Sequence, residues 1–164
     1  MADNTTTNTE CIRIADQLTR AFEGEAWHGP ALKELLSDVT GEEAAARPVA
    51  AGHSIWELVL HIEVWAHVSA EAIRGVPMPK IVNTPRDWPP AAEGDAAWTE
   101  AKNNLFRTGA ELAQAMRGFA DSRFQEIVPG RSYDFYRLFH GIVQHSLYHG
   151  GQIAILKKAL QTPS

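Results

Sequence analysis

Two histidines, His145 and His149, stand four residues apart in the stretch QHSLYHGGQI, residues 144–153. Four residues turn an α-helix by about 400°, so the second side chain returns to within about 40° of the first. Their β-carbons are then neighbours, and two imidazoles placed this way can converge on one metal ion. The paired ligands of H-E-x-x-H zinc sites use the same geometry. Here Ser146 follows His145, where that motif carries the glutamate that serves as general base. The spacing predicts metal ligation and argues against a zincin-type protease.

A third ligand has to come from another helix. His61 is the best placed, midway along a predicted helix and one turn before Trp65. His28, His53, His67 and His140 read as surface or structural residues. Three neutral imidazoles leave a fourth position for water or substrate, the arrangement of a catalytic rather than a closed structural zinc site. Nitrogen ligands suit a divalent transition metal (Zn, Ni, Fe or Cu) better than Mg or Ca. A metal-free reading stays open at this point, with both imidazoles in a helical core and satisfied by hydrogen bonds.

Residues near the ligands are expected to orient the rings. Glu57 lies one turn before His61 and Gln152 three residues after His149. Glu57 also has capping-box spacing from Ser54, which competes for its carboxylate. Trp65 is expected to form a pocket wall, as are Trp56 and Trp98, unless they serve only core packing. Arg86, Asp87 and Trp88 fall in a proline-rich stretch that could cover the pocket mouth. No residue is assigned a catalytic role. No Ser/His/Asp elbow, phosphate-binding glycine loop or dinucleotide fingerprint is present.

Four long amphipathic helices are needed to hold these residues. Ile12, Ala15, Leu18 and Phe22 fall on one face of the first, which should end near EGEAW. GP at 29–30 restarts a short helix with Pro30 near its first position. TGEE at 40–43 reads as a capping box for another. The second long helix covers 54–73, with Leu58, Ile62, Trp65, Ser69 and Ile73 inward. The third starts near Asp95, with Trp98, Ala101, Leu105, Leu112, Met116 and Phe119 in register. Ser132 should cap the fourth, which runs to about Leu160. Its stripe is Phe135, Leu138, Ile142, His145, His149, Gln152 and Leu156. Strand signals are few, so the expectation is all-α, a four-helix bundle. Residues 75–94 carry five prolines and two glycines. They must form a long crossover connection between helices two and three, of the kind that often lies over a functional site.

At 164 residues, 45% hydrophobic and 21% charged, the chain suits one globular domain, expected over 9–162 after a disordered tail at 1–8. A net charge of −5 without a Lys/Arg cluster argues against nucleic acid or an anionic membrane as partner. No apolar run approaches the roughly 20 residues that span a bilayer. The polar start MADNTTTNTE does not read as a signal peptide, so a cytoplasmic location is expected. Cys11 is the only cysteine, which excludes an intrachain disulfide and a multi-thiolate zinc site. It reads as an inert small hydrophobe.

SIWELVLHI (54–62), followed much later by HSLYHGGQI (145–153), resembles the DinB-like superfamily of bacterial four-helix bundles, related to YfiT-type metal-dependent hydrolases. The resemblance covers about residues 10–160. It implies that His61, His145 and His149 are a metal triad. Gly151 and Gln152 match the GQ of the motif, while Gly150 stands where many members carry a basic residue. The resemblance further implies a divalent metal and a homodimer. It also implies small-molecule chemistry, either transfer of low-molecular-weight thiols or hydrolysis. The alternative within the same family is a non-catalytic, stress-related metal-binding dimer.

Overall fold

Three of the described helices begin at side-chain caps that the sequence supplies. A computed structural model describes residues 9–161, so the expected tail at 1–8 and the last three residues lie outside it. Among the described residues there are six α-helices: α1 (Thr9–Glu23), α2 (Leu32–Leu36), α3 (Gly41–Ala45), α4 (Ile55–Ile73), α5 (Asp95–Arg117) and α6 (Phe135–Leu160). Thr40 caps α3 and Ser54 caps α4, each with a glutamate three residues on returning the bond. Two starts differ from expectation. Pro30 stands before the α2 boundary residue Ala31 rather than inside the helix. Asp134, not Ser132, caps α6, because residues 127–134 first close an isolated antiparallel bridge.

The long helices form a four-helix bundle in which α5, α4, α6 and α1 are successive neighbours around the core. Their directions follow from which ends meet. Trp56 and Trp98, near the starts of α4 and α5, pack with ring centroids 5.2 Å apart. The far ends meet too, where Ile73 and Gln114 share a surface groove, so α4 and α5 are parallel. Arg117 donates to Thr19 Oγ1 at 2.8 Å, and Phe22 packs on Gly109, so α1 runs antiparallel to α5. His61 meets His145 and Leu58 meets Leu156, so α6 runs antiparallel to α4. The topology is up-down-down-up.

Two parallel neighbours explain the long connection. The chain leaves α4 at one end of the bundle and must return about 28 Å, the length of α4, to start α5. Residues 75–94 make that return across the face between α4 and α6. The segment is pinned on the way. Met78 N–H donates to Pro129 O at 2.8 Å, and an Arg131 Nη2 proton goes to Pro79 O at 2.5 Å. Gly130, at φ +77°, lets the two segments touch, since a Cβ there would meet Met78 O at 2.9 Å.

The core is contiguous and contains most of the expected stripes. All six positions named for the third helix are buried. Ile12 is the exception in α1, at 50% exposure, because Cys11, Ile14, Ala15, Leu18 and Phe22 form the buried face and Ile12 lies about 100° round from Cys11. Among the described residues no helix is long and apolar enough to cross a membrane.

Candidate metal centre

His61 faces His145 and His149 across the α4–α6 seam because α4 and α6 are antiparallel neighbours. Each of the three histidines offers a ring nitrogen, and these nitrogens all lie within 4.8 Å of one another. His61 Nε2 and His145 Nε2 are 3.0 Å apart. The ring centroids of His145 and His149 are 4.5 Å apart, as one helical turn dictates. His61 and His149 are buried and His145 is half-buried.

Two of the rings have a fixed tautomer. His61 Nδ1 lies 2.8 Å from the backbone carbonyl of Asp87, and 3.2 Å from its carboxylate Oδ1. The nearer carbonyl can only accept, so Nδ1 carries the proton and Nε2 presents a lone pair. His149 Nδ1 lies 2.6 Å from Gln152 Oε1, an acceptor, with the same consequence. His145 Nδ1 is buried with no hydrogen-bond partner among the described residues. The arrangement therefore leaves His61 Nε2 and His149 Nε2 with lone pairs, and His145 Nε2 donates its proton to the first of them, where a metal ion could replace that proton. Two nitrogens on one tetrahedral ion at 2.0–2.1 Å would be about 3.3 Å apart, close to the His61–His145 spacing. The donor set fits a metal ion.

Burial keeps these imidazoles neutral. It pushes His145 down to about 3, with the neighbouring His149 and His61 rings adding to the effect. It also lowers His61 and His149, against the opposing pull of Asp87 on the first and Gln152 on the second. The neutral ring is the form that ligates metal.

The crossover connection completes the centre. Asp87 is 4% exposed. Its Oδ1 accepts from Trp65 Nε1 at 2.8 Å and its Oδ2 from the Asn83 N–H at 2.9 Å, which fixes the loop against α4. Asn83 holds φ +60°, a region asparagine tolerates. Trp88 stacks on His61 with centroids 3.8 Å apart and planes 8° apart. Its other face stacks on His53 at 3.5 Å and 1°.

The residues expected beside the ligands divide. Gln152 orients His149, and Trp65 lines the adjoining cavity and holds Asp87. Glu57 does not reach His61. Its carboxylate accepts from the Ser54 N–H, Arg47 and His53, so the capping box wins and Glu57 is not a ring-orienting residue. His28, His53 and His67 are exposed, and His140 packs against Tyr136; none joins the cluster. Asp87 was placed only as loop cover, and its hold on His61 through a backbone carbonyl has no sequence signature. An acid and a tryptophan between prolines, RDW at 86–88, were the available hint.

A cavity of about 530 Å³ opens beside the three histidines, between α4, α6 and the crossover connection. Its walls are mainly apolar and aromatic, and its volume lies in the range of small-molecule sites.

A model of the DinB superfamily matches residues 26–153, a span that contains all three histidines and Gln152. Compared with curated proteins and with solved structures, the chain matches none. The all-helical bundle and the family match agree, and the chain belongs to the DinB superfamily.

Proposed function

We propose that the protein holds one divalent transition-metal ion on His61, His145 and His149 and uses it for small-molecule chemistry, thiol transfer or hydrolysis. The observation that carries this reading is the convergence of three neutral imidazoles, two with their Nδ1 protons committed outward, beside an open cavity. A structural ion would be enclosed by a fourth protein ligand. Among the described residues the cluster has three members and faces the cavity instead.

A bound ion would supply Lewis acidity to a thiol or a water reaching it through that cavity. The chain's own residues do the rest. The Asp87 carbonyl and Gln152 hold two rings in the ligating tautomer. Trp88 covers one face of His61, and Trp65 narrows the approach. The apolar walls favour the non-polar part of a substrate.

Cobalt substitution tests this directly. Co(II)-loaded protein should give visible d–d bands of a low-coordinate nitrogen site, and a low-molecular-weight thiol should add a sulfur-to-metal charge-transfer band. Binding of cobalt with no response to thiols would remove the transferase branch. Failure to bind cobalt, zinc or nickel would remove the whole reading.

A further inference from the structure

Gly109 and Gly141 both stand inside long helices, in opposite surroundings. A Cβ at Gly109 would stand 2.5 Å from the Phe22 ring, so close packing excludes a side chain there. A Cβ at Gly141 would meet nothing within 4 Å. Helix interiors disfavour glycine, and at Gly141, as at Gly151 further along α6, neither packing nor a left-handed backbone calls for it; of the two, Gly141 faces the cavity. What Gly141 does is line the cavity, one turn after Arg137 and one turn before His145. The α6 stripe Arg137, Gly141, His145, His149 thus has a bare floor between a cation and the imidazoles.

The two ends of that floor differ in chemistry. Among the described residues Arg137 is the only Lys or Arg lining the cavity. It is exposed at the rim, and among the described residues no carboxylate forms an ion pair with its guanidinium, which lies 5.4 Å from the Tyr133 ring centroid. Asp87 is the only acid among the described residues that line it, and both of its oxygens are already engaged. Between the ends the walls are apolar, with Leu138, Ile142, Met78 and Val82 among them. Ser69 is the polar exception: fully buried, cavity-lining, and with its Oγ unpartnered among the described residues.

We propose that this cavity binds a small amphiphilic carboxylate. Its carboxylate takes the two-pronged guanidinium of Arg137, and its apolar body lies on the floor left by Gly141. Its far end is presented to His145 and His149. That last element rests on the metal reading above; the first two do not. Eight residues of helix separate Arg137 from His145, about 12 Å, and the guanidinium swings from its place over Tyr133 toward Gly141 to grip an acid the length of a phenylalkanoate. Ser69 adds a hydrogen bond for a polar group within the body.

The test uses 4-phenylbutyrate and its neutral analogue 4-phenylbutanol, titrated into metal-free and zinc-loaded protein by calorimetry, with Trp65 and Trp88 fluorescence as second readout. The carboxylate should bind about tenfold tighter than the alcohol, the scale of one charge-assisted hydrogen-bonded pair. Arg137→Gln should erase that difference and leave the alcohol unchanged. Gly141→Leu should abolish binding of both, while circular dichroism and zinc stoichiometry stay native. Gly141→Ala serves as the milder variant should leucine perturb the fold, and should weaken both probes severalfold. Equal affinity of acid and alcohol, an equal loss of both in Arg137→Gln, or unaltered binding in a folded Gly141 variant would overturn the proposal. Carboxylate binding that follows this pattern in a protein that takes up no zinc would uphold the cavity and refute the metal.

Discussion

The Nε2 atoms of His61 and His145 lie 3.0 Å apart although 84 residues separate them in the chain. Two neutral imidazoles can share a single proton across such a gap, and His61 already has its own proton on Nδ1, facing the Asp87 carbonyl. In the metal-free protein His145 Nε2–H therefore donates to the His61 Nε2 lone pair; a cation that took the place of that proton would meet both nitrogens, and the residues behind the rings decide how well they stay there.

Gln152→Ala should lower metal affinity by about 10- to 100-fold, the usual cost of losing a hydrogen bond behind a ligating histidine. The His149 ring would be free to rotate once its Nδ1 lost the bond to Oε1. Gln152 is only partly buried, so the unfolding midpoint of the metal-free protein should hardly move. A competition titration with a zinc chelator gives the affinity; an unchanged value would remove Gln152 from the centre.

Glu57→Gln is the matching control. Glutamine keeps an acceptor for the Ser54 N–H but loses the charge that faces Arg47 and His53, so stability should fall by no more than about 0.5–1 kcal/mol. Metal affinity should stay within twofold of the parent. A large loss of affinity would mean that Glu57 acts on His61 after all.

Asp87→Ala should be the most damaging change in the crossover connection. It strands the half-buried Trp65 indole N–H, at a cost of about 1–3 kcal/mol for a donor left unmade, and leaves the N–H of the exposed Asn83 to water. The His61 bond goes to the Asp87 backbone carbonyl, which survives the substitution. Urea unfolding should therefore show a clear drop, while Asp87→Asn, which keeps an acceptor for Trp65, should recover part of it. Equal stability of all three proteins would contradict the anchoring role.

Acid should destabilise the metal-free protein early. In the unfolded chain the histidines titrate near the ordinary 6.5, while burial holds His145 at about 3 and lowers His61 and His149. Between those values the unfolded state binds more protons, so stability is full above about pH 6.5 and is lost as pH falls toward 3. Each imidazole adds a slope of at most about 1.4 kcal/mol per pH unit. Urea midpoints between pH 6.5 and 5, above most carboxylate titrations, should fall in the parent and fall less in His145→Ala. Parallel curves would refute neutral burial.

Much of this was legible in the residues, for reasons that differ by element. The Ser54 and Thr40 capping boxes and the apolar stripes of α4, α5 and α6 are local patterns, and the helices follow them. The i,i+4 spacing of His145 and His149 likewise fixed their mutual geometry before any tertiary contact. The α6 start was misplaced because Ser132 and Asp134 are both good caps and a tertiary bridge, Ile127 with Asp134, selected between them. Glu57 illustrates a carboxylate claimed by two local roles, of which the nearer won. The grip of the Asp87 carbonyl on His61 and the bare floor at Gly141 depend on a loop passing over α4 and α6. Neither periodicity nor spacing encodes that path.

The central claim is tested most directly by elemental mass spectrometry of untagged protein that has never met a nickel resin, beside His61→Ala, His145→Ala and His149→Ala. The account predicts close to one equivalent of a divalent transition metal in the parent and its loss in each variant, with helical content retained. A parent that carries no metal and takes up none from zinc, nickel or iron would contradict it. The three histidines would then be a hydrogen-bonded cluster in the wall of an apolar cavity.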